Sequence, residues 1–360
     1  MKKKLLIIIG IIAIVIAAFF AFRPVREVAP DKPVIKIGIV LPLTGNFAHL
    51  GVVERKAAET AVTDINKKCA DNCKYYYKLL VEDFGGDNKV ANNAAKMLAA
   101  KGANALVSYT TNAGKIISIV AAEHNIAHFN CSQGQELKNP TDLYLNMGDM
   151  YAKFVEIFKQ RNIKSTTLLL ANIGNSQKFM QELLPQLDRA GIKYHLDLFN
   201  TDEKNFSQLV AKVKNDYNDE VIVIDSFEPA QTLLTREILL QKITKPVFFA
   251  DTMRFSRDMA IFEGMYNIGG LVPDAEFQKH IGLKSGDNPG FSNYIYDMIS
   301  ALADGFEKTE TTDGADVVKT IRGFGKWRGI DAEYKVKPSG EFESSSMLSI
   351  VKDGKMEPVK

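Results

Sequence analysis

Three cysteines, five histidines and one tryptophan in 360 residues leave little material for metal or redox chemistry. Cys69 and Cys73 stand in KKCADNCK, a polar stretch where a short disulfide loop is geometrically feasible in an oxidising compartment. As a C-x3-C pair they supply half of a tetrahedral zinc set, with no other ligands spaced nearby. Cys131 is left over. His124 and His128 have the i, i+4 spacing that serves a metal on a helix, but His128 falls in an apolar run that reads as a strand, where that spacing does not apply. No metal site and no cofactor is predicted.

Other signatures are missing as well. The first strand is not followed by G-x-G-x-x-G, so the close pyrophosphate approach of a dinucleotide site is absent, although Glu82 and Asp83 end the second strand as a ribose-binding acid would. There is no Walker loop, no G-x-S-x-G elbow and no legible nucleophile–base partnership around the histidines. An enzyme is therefore not expected. One-signed charge is lacking too: the net charge is +2, and residues 1–33 carry six basic and two acidic residues, leaving 39 basic and 41 acidic in the body. A faintly acidic body has no footprint for nucleic acid, which needs clustered Lys and Arg to displace counterions.

What is abundant is apolar sequence, and first at the N-terminus. Lys2, Lys3 and Lys4 precede LLIIIGIIAIVIAAFFAF, an uncharged run from Leu5 to Phe22. At 1.5 Å per residue it makes roughly 27 Å of helix, enough to cross a bilayer core. The flanking lysines keep the N-terminus cytoplasmic and send the body outward. Residues 1–22 thus read as a signal anchor or a signal peptide. The exit Phe19-Phe20-Ala21-Phe22 is a poor cleavage site with no cysteine after it to accept a lipid, which favours the anchor. Residues 23–33, RPVREVAPDKP, read as a linker.

From Val34 the chain alternates short β-branched runs with longer mixed segments. IKIGIV (35–40), YYKLLVE (76–82), NALVSY (104–109) and IAHFNC (126–131) are predicted strands, with helices expected over 52–67, 88–100 and 113–124. The Tyr75-Tyr76-Tyr77 run reads as strand entry. After LYLNMGDM the rhythm restarts at STTLLLA (165–171), KYHLDLF (193–199), VIVIDS (221–226) and PVFFAD (246–251), with helices near 176–190, 205–214 and 229–241. This period signals βαβ units and an α/β fold of two consecutive doubly wound, Rossmann-like sheets. Further helices are expected at 291–306 and 314–322, and a final hairpin turns at Asp353-Gly354. In such sheets ligands lie beyond the carboxyl ends of the strands. The loops to inspect are therefore Thr44–Leu50, Tyr109–Ala113, Cys131–Gln135, Asn172–Ser176, Ser226–Pro229 and Asp251–Arg254.

Several stretches resemble one family. IKIGIVLPLTGNFAHLG, NFSQLVAKVK, VIVIDSFEPAQTLLTRE, KPVFFADTM and the closing PSGEF…SIVKDGK are similar, in order and spacing, to the type I periplasmic binding proteins of the leucine/isoleucine/valine-binding group over residues 34–360. The resemblance implies two lobes joined by three crossovers, near Met147–Met150, Val272–Asp274 and Gly323–Arg328. Lobe one would be 34–146 plus 274–323, and lobe two 150–271 plus 328–360. It implies a small-molecule ligand (an amino acid, amide or organic acid), an ABC transporter permease as partner and an extracytoplasmic location at the membrane face. A tethered flytrap that senses, or recruits an envelope partner, is the alternative.

Carried over by position, the Thr-Gly loop after the first strand supplies Thr44 and, beside it, Asn46. Thr110 or Thr111 supplies a hydroxyl before the third helix, with Asn112 as its N-cap. Ser132 and Gln133 follow the fourth strand, and Ser176 stands in the first loop of the second lobe. Phe227 falls where an aromatic packs on the ligand, and Asp251 near the acid that pairs with an ammonium. The chain departs from the family at Asn172-Ile173-Gly174, where Tyr-Gly is usual, and at CSQGQEL, which lacks Pro-Ala-Ser/Thr.

Overall fold

The computed structural model describes residues 32–359 apart from 70, 71, 109, 132–136, 147, 148 and 285. The apolar run Leu5–Phe22 and the linker up to residue 31 lie outside the described residues, and no helix among those described is long and apolar enough to cross a membrane.

The first sheet is built on β1 (Val34–Leu41), β2 (Tyr76–Asp83), β3 (Ala105–Ser108), β4 (Ala127–Cys131) and β5 (Asp142–Asn146). Their alternating apolar side chains lock a parallel register, Ile37 opposite both Leu79 and Ala105, and Val107 opposite Phe129. Helices α1 (Ala48–Lys68), α2 (Asn88–Ala100) and α3 (Thr111–Glu123) return the chain. Asp87 starts α2 by accepting the amides of Lys89 and Val90, which satisfies two donors the helix cannot pair internally. α1 lacks a side-chain cap and is seated by closeness instead. A Cβ on Gly51 would stand 2.3 Å from the Pro42 carbonyl oxygen, so only glycine lets the helix rest on the end of β1.

The second sheet repeats the scheme with β6 (Ser165–Ala171), β7 (Lys193–Phe199), β8 (Val221–Asp225), β9 (Val247–Ala250) and β10 (Tyr266–Gly269). α4 (Met150–Gln160) leads into β6, and α5 (Gly174–Ala190), α6 (Ser207–Asn215) and α7 (Ala230–Leu240) run between the strands. Both α4 and β10 are absent from the sequence reading, which places no element in 147–164 or 252–272. The chain then re-enters the first lobe through α8 (Ala275–His280), α9 (Ser292–Lys308) and α10 (Gly314–Arg322), with Phe277, Tyr294, Phe306 and Val317 in the core of the first sheet.

The C-terminal portion corrects the expected lobe boundary. β11 (Lys326–Arg328), β12 (Glu333–Val336) and β13 (Glu341–Glu343) extend the first sheet, whose order is β11-β12-β13-β5-β4-β3-β1-β2. β13 pairs with β5 in parallel, and Trp327, Tyr334, Val336 and Phe342 bury against the first lobe's core. Only β14 (Met347–Lys352) and β15 (Lys355–Pro358) join the second sheet, order β15-β14-β10-β9-β8-β6-β7. The third crossover therefore falls between Glu343 and Met347 rather than at 323–328, and residues 328–343 belong to the first lobe. The closing hairpin turns as its sequence requires, with Asp353 at φ 51° and Gly354 at φ 67°. Cys69 and Cys73 are joined in a disulfide and so offer no thiolate to a metal; Cys131 is buried and free.

Candidate ligand-binding cleft

The carboxyl ends of the two sheets face each other, and the loops there meet directly. From the second lobe, the 3-10 turn Thr252–Phe255 and the residues after it lean onto the first. Arg257 donates to the Asn46 carbonyl oxygen at 2.7 Å, and the His49 imidazole lies 3.2 Å from the Phe255 carbonyl oxygen. Burial lowers the His49 pKa, and Arg257 lowers it further. The Phe255 ring stands edge-on to Phe47 and Phe227 at 5.9 and 5.0 Å and contacts Phe291 at 5.3 Å. Phe47 and Phe291 belong to the first lobe, so four phenylalanines form one wall across the cleft. At its mouth a cavity of about 330 Å³ opens between Asn46 and the second lobe's Glu228, Thr232, Arg236 and Arg257.

The sequence-predicted residues divide on this geometry. Asn46 and Phe227 stand at the interlobe contact. Thr44 is turned to its own lobe: its hydroxyl donates to Asp83 Oδ2 at 2.6 Å, while the Leu43, Thr44 and Gly85 amides donate to Oδ1. Burial alone would raise the Asp83 pKa, but these four bonds outweigh it and hold the carboxyl below its usual value. Thr110, not Asn112, is the N-cap of α3; its hydroxyl makes no capping bond, and Thr111 and Asn112 lie exposed in the first turn. Ser132 and Gln133 lie outside the described residues.

Asp251 does not present a carboxylate to the cleft as expected. Its Oδ1 accepts Arg254 Nε at 2.8 Å, the Gly270 amide at 3.2 Å and Asn267 Nδ2 at 3.3 Å. Arg254 is 2% exposed and also donates to the carbonyls of Gly270, Leu271 and Gly290, so this buried pair ties the second lobe, the crossover and the first lobe together. Burial pulls the guanidinium pKa down, but Asp251 more than compensates and raises it.

The structure adds an acid that sequence reasoning missed. Asp225 closes β8 and is 1% exposed, on the sheet face shared by Val221 and Val223. Ser176 Oγ donates to its Oδ2 at 2.8 Å, and Oδ1 has no partner among the described residues. Burial raises its pKa to about 6, against the pull of Ser176. A carboxylate ending an otherwise apolar parallel strand was the available signal. Ser176, expected to touch ligand directly, instead holds this acid.

A nucleophile–base partnership, not legible in the sequence, also emerges. His128 lies 2.9 Å from Ser108 Oγ through Nε2 and 2.8 Å from Asp142 Oδ1 through Nδ1. Its members are at most 1% exposed, and Ser108 Oγ also donates to Asn130 Oδ1, on which Gly114 of α3 packs with no room for a side chain. The chain of bonds fastens β3, β4 and β5 beneath α3.

Comparison with known proteins agrees with this architecture. Residues 34–355 match the family model described as periplasmic binding protein. A Leu/Ile/Val-binding protein of Rhizobium johnstonii is 24% identical over 331 residues, 86% of this chain and 88% of that one. The Leu/Ile/Val-binding protein homolog 1 of Brucella abortus is 24% identical over 332 residues, 85% of this chain and 87% of that one. Among solved structures, the leucine binding protein LivK of Thermotoga maritima superposes with a TM-score of 0.76 at 17% identity, over 91% of this chain and 98% of that one. A solute binding protein of R. palustris in complex with 4-hydroxybenzoate gives 0.77 at 14% identity, over 91% and 96%. With two α/β lobes facing across a cleft and a match spanning nearly all of its described residues, the chain belongs to the periplasmic binding protein family.

Proposed function

We propose that this chain is the extracytoplasmic solute-binding component of an ABC importer, tethered at the membrane by residues 1–22, and that it captures a small polar ligand by closure of its lobes without chemical turnover. The observation that carries the reading is the direct meeting of the lobes at the carboxyl ends of both sheets, through Arg257 on Asn46 and Phe255 among Phe47, Phe227 and Phe291. Groups on both sides give a ligand more contacts in the closed form, which is the differential affinity that drives closure.

In this reading the first turn of α3, with Thr110, Thr111 and Asn112, receives a carboxylate, because a helix N-terminus presents amide donors and the positive end of its dipole. Ser132 and Gln133 are assigned to the ligand set by the family resemblance alone, and Phe227 covers the apolar portion. Asp225 takes the place of Asp251 as the second lobe's acid, facing an ammonium or amide nitrogen with Ser176 behind it. The names of relatives and neighbours point to amino acids and to hydroxybenzoates, and an amino acid, amide or small aromatic acid fits the mixture of donors and phenyl rings. Melting curves of the full-length chain against amino acids, their amides and hydroxybenzoates test this. A ligand at a hundred times its Kd adds about 2.7 kcal/mol and raises the melting temperature by several degrees. No shift from any member of the panel would contradict the proposed ligand class.

A further inference from the structure

Among the described residues, His128, His195 and His280 each hydrogen-bond an aspartate carboxylate, at 2.8, 2.8 and 2.6 Å. His49 is set differently. It stands in the first turn of α1, half-buried where the second lobe meets the first, with Nε2 3.2 Å from the Phe255 carbonyl oxygen. A carbonyl only accepts, so Nε2 carries the hydrogen of that interlobe bond. Nδ1 is shut off from solvent and has no hydrogen-bond partner among the described residues. The contact is therefore made by a neutral imidazole, and a second proton, on Nδ1, would be a buried donor without a bonded acceptor. The Asn46 carbonyl attracts such a proton but forms no hydrogen bond with Nδ1, and it already accepts Arg257 at 2.7 Å.

The charges around the ring point the same way. Two groups of the second lobe act on it: Arg257 disfavours the imidazolium, and Glu228, just ahead of α7, favours it. Because Arg257 donates to Asn46 across the cleft, its charge arrives as part of the interlobe contact. Arg254 and Asp258, on the same turn, are spent on Asp251 and on the Ala260 amide. In the first lobe, the Pro42–Phe47 loop carries no charged residue, and Asp83 beneath it is occupied by Thr44 and by backbone amides. α1 has no acid in its first turn, and Glu54, further along, lies against Gly290. Burial is the largest influence, and the sum lowers the His49 pKa below the ordinary 6.5.

We propose that His49 is a proton-operated release on the interlobe contact, closing with the lobes when neutral and opening them when charged. The inference rests on the reading of capture by closure. Opening withdraws Phe255 and Arg257 and returns the ring to water, where it takes up a proton as an ordinary histidine does. The closed form binds that proton more weakly than the open form, so closure is undiminished above about pH 6.5 and weakens as pH falls below it. Each unit separating the two pKa values lowers the closed-to-open ratio by up to about tenfold. By reciprocity, a solute that closes the lobes in mild acid expels the proton, and acid loosens its capture.

The test is small-angle X-ray scattering of the full-length chain at about pH 7.5 and about pH 5, at one ionic strength and with no solute added. The wild type should have the larger radius of gyration in acid. His49→Gln, a neutral donor, should be equally compact at both pH values, and His49→Lys, charged at both, equally expanded. Asp225, Asp297 and Asp331 titrate in the same interval, at about 6, 7 and 6. An expansion that His49→Gln retains therefore belongs to them and overturns the proposal, as does an unchanged wild-type radius. Should His49→Lys fail to fold, the wild type against His49→Gln decides. Capture itself is judged by thermal shifts at constant pH, so either can fail without the other.

Discussion

At the scale of single residues, two buried charges have opposite consequences. Arg254 and Asp251 are removed from water together and satisfy each other and three backbone carbonyls. Replacing Arg254 with alanine leaves the Asp251 carboxylate uncompensated, and we expect a loss of about 3–5 kcal/mol in chemical denaturation. Asp225 is the reverse, an acid whose own burial is unfavourable. Its folded pKa of about 6 lies above the ordinary 3.8. The folded state therefore binds the proton more tightly than the unfolded state, and the group's contribution, full below about pH 4, is lost as pH rises through 6. Asp225→Asn should be more stable than the wild type above pH 6, by about 3 kcal/mol at pH 7, and the gap should vanish below pH 4. Denaturation of both proteins across that range measures it. Retaining a destabilising acid at the end of a strand fits a role in recognition, where stability gives way to function.

At the scale of elements, the opening stretch IKIGIVLPLTGNFAHLG explains itself. β1 ends at Leu41, the Pro42–Asn46 loop is held by Asp83, and Gly51 lets α1 settle on the Pro42 carbonyl. Gly51→Ala must push that helix away and should cost about 1–3 kcal/mol, read from the denaturation midpoint. Elements of this kind were legible because their periodicity is local: the helices 88–100 and 314–322 begin and end where the pattern places them, and Asp353-Gly354 makes its hairpin. α4 and β10 escaped notice because they flank crossovers, α4 just after the first and β10 just before the second, where no alternation frames them. β11 falls in the expected crossover and β12 and β13 in the expected second lobe because nothing in Trp327, Tyr334 or Phe342 says which of two cores receives them; the pairing of Phe342 with Leu145 decides. The same limit hid Asp225 and misplaced Asp251. Both are aspartates closing apolar strands, and only the approach of Arg254 to one of them tells the two apart.

At the scale of the whole molecule, two cores built on separate sheets leave the lobes rigid within themselves and joined by three crossovers. The lobes meet through individual contacts such as Arg257 on Asn46 and Phe255 on Phe47, which a joint that opens and shuts can break and remake. A bound ligand draws the lobes together across the phenylalanine wall. Small-angle X-ray scattering of the full-length chain, with and without saturating amounts of the compound giving the largest thermal shift, tests it directly. A smaller radius of gyration with bound compound is the predicted result. An unchanged radius at saturation would contradict closure as the mode of capture.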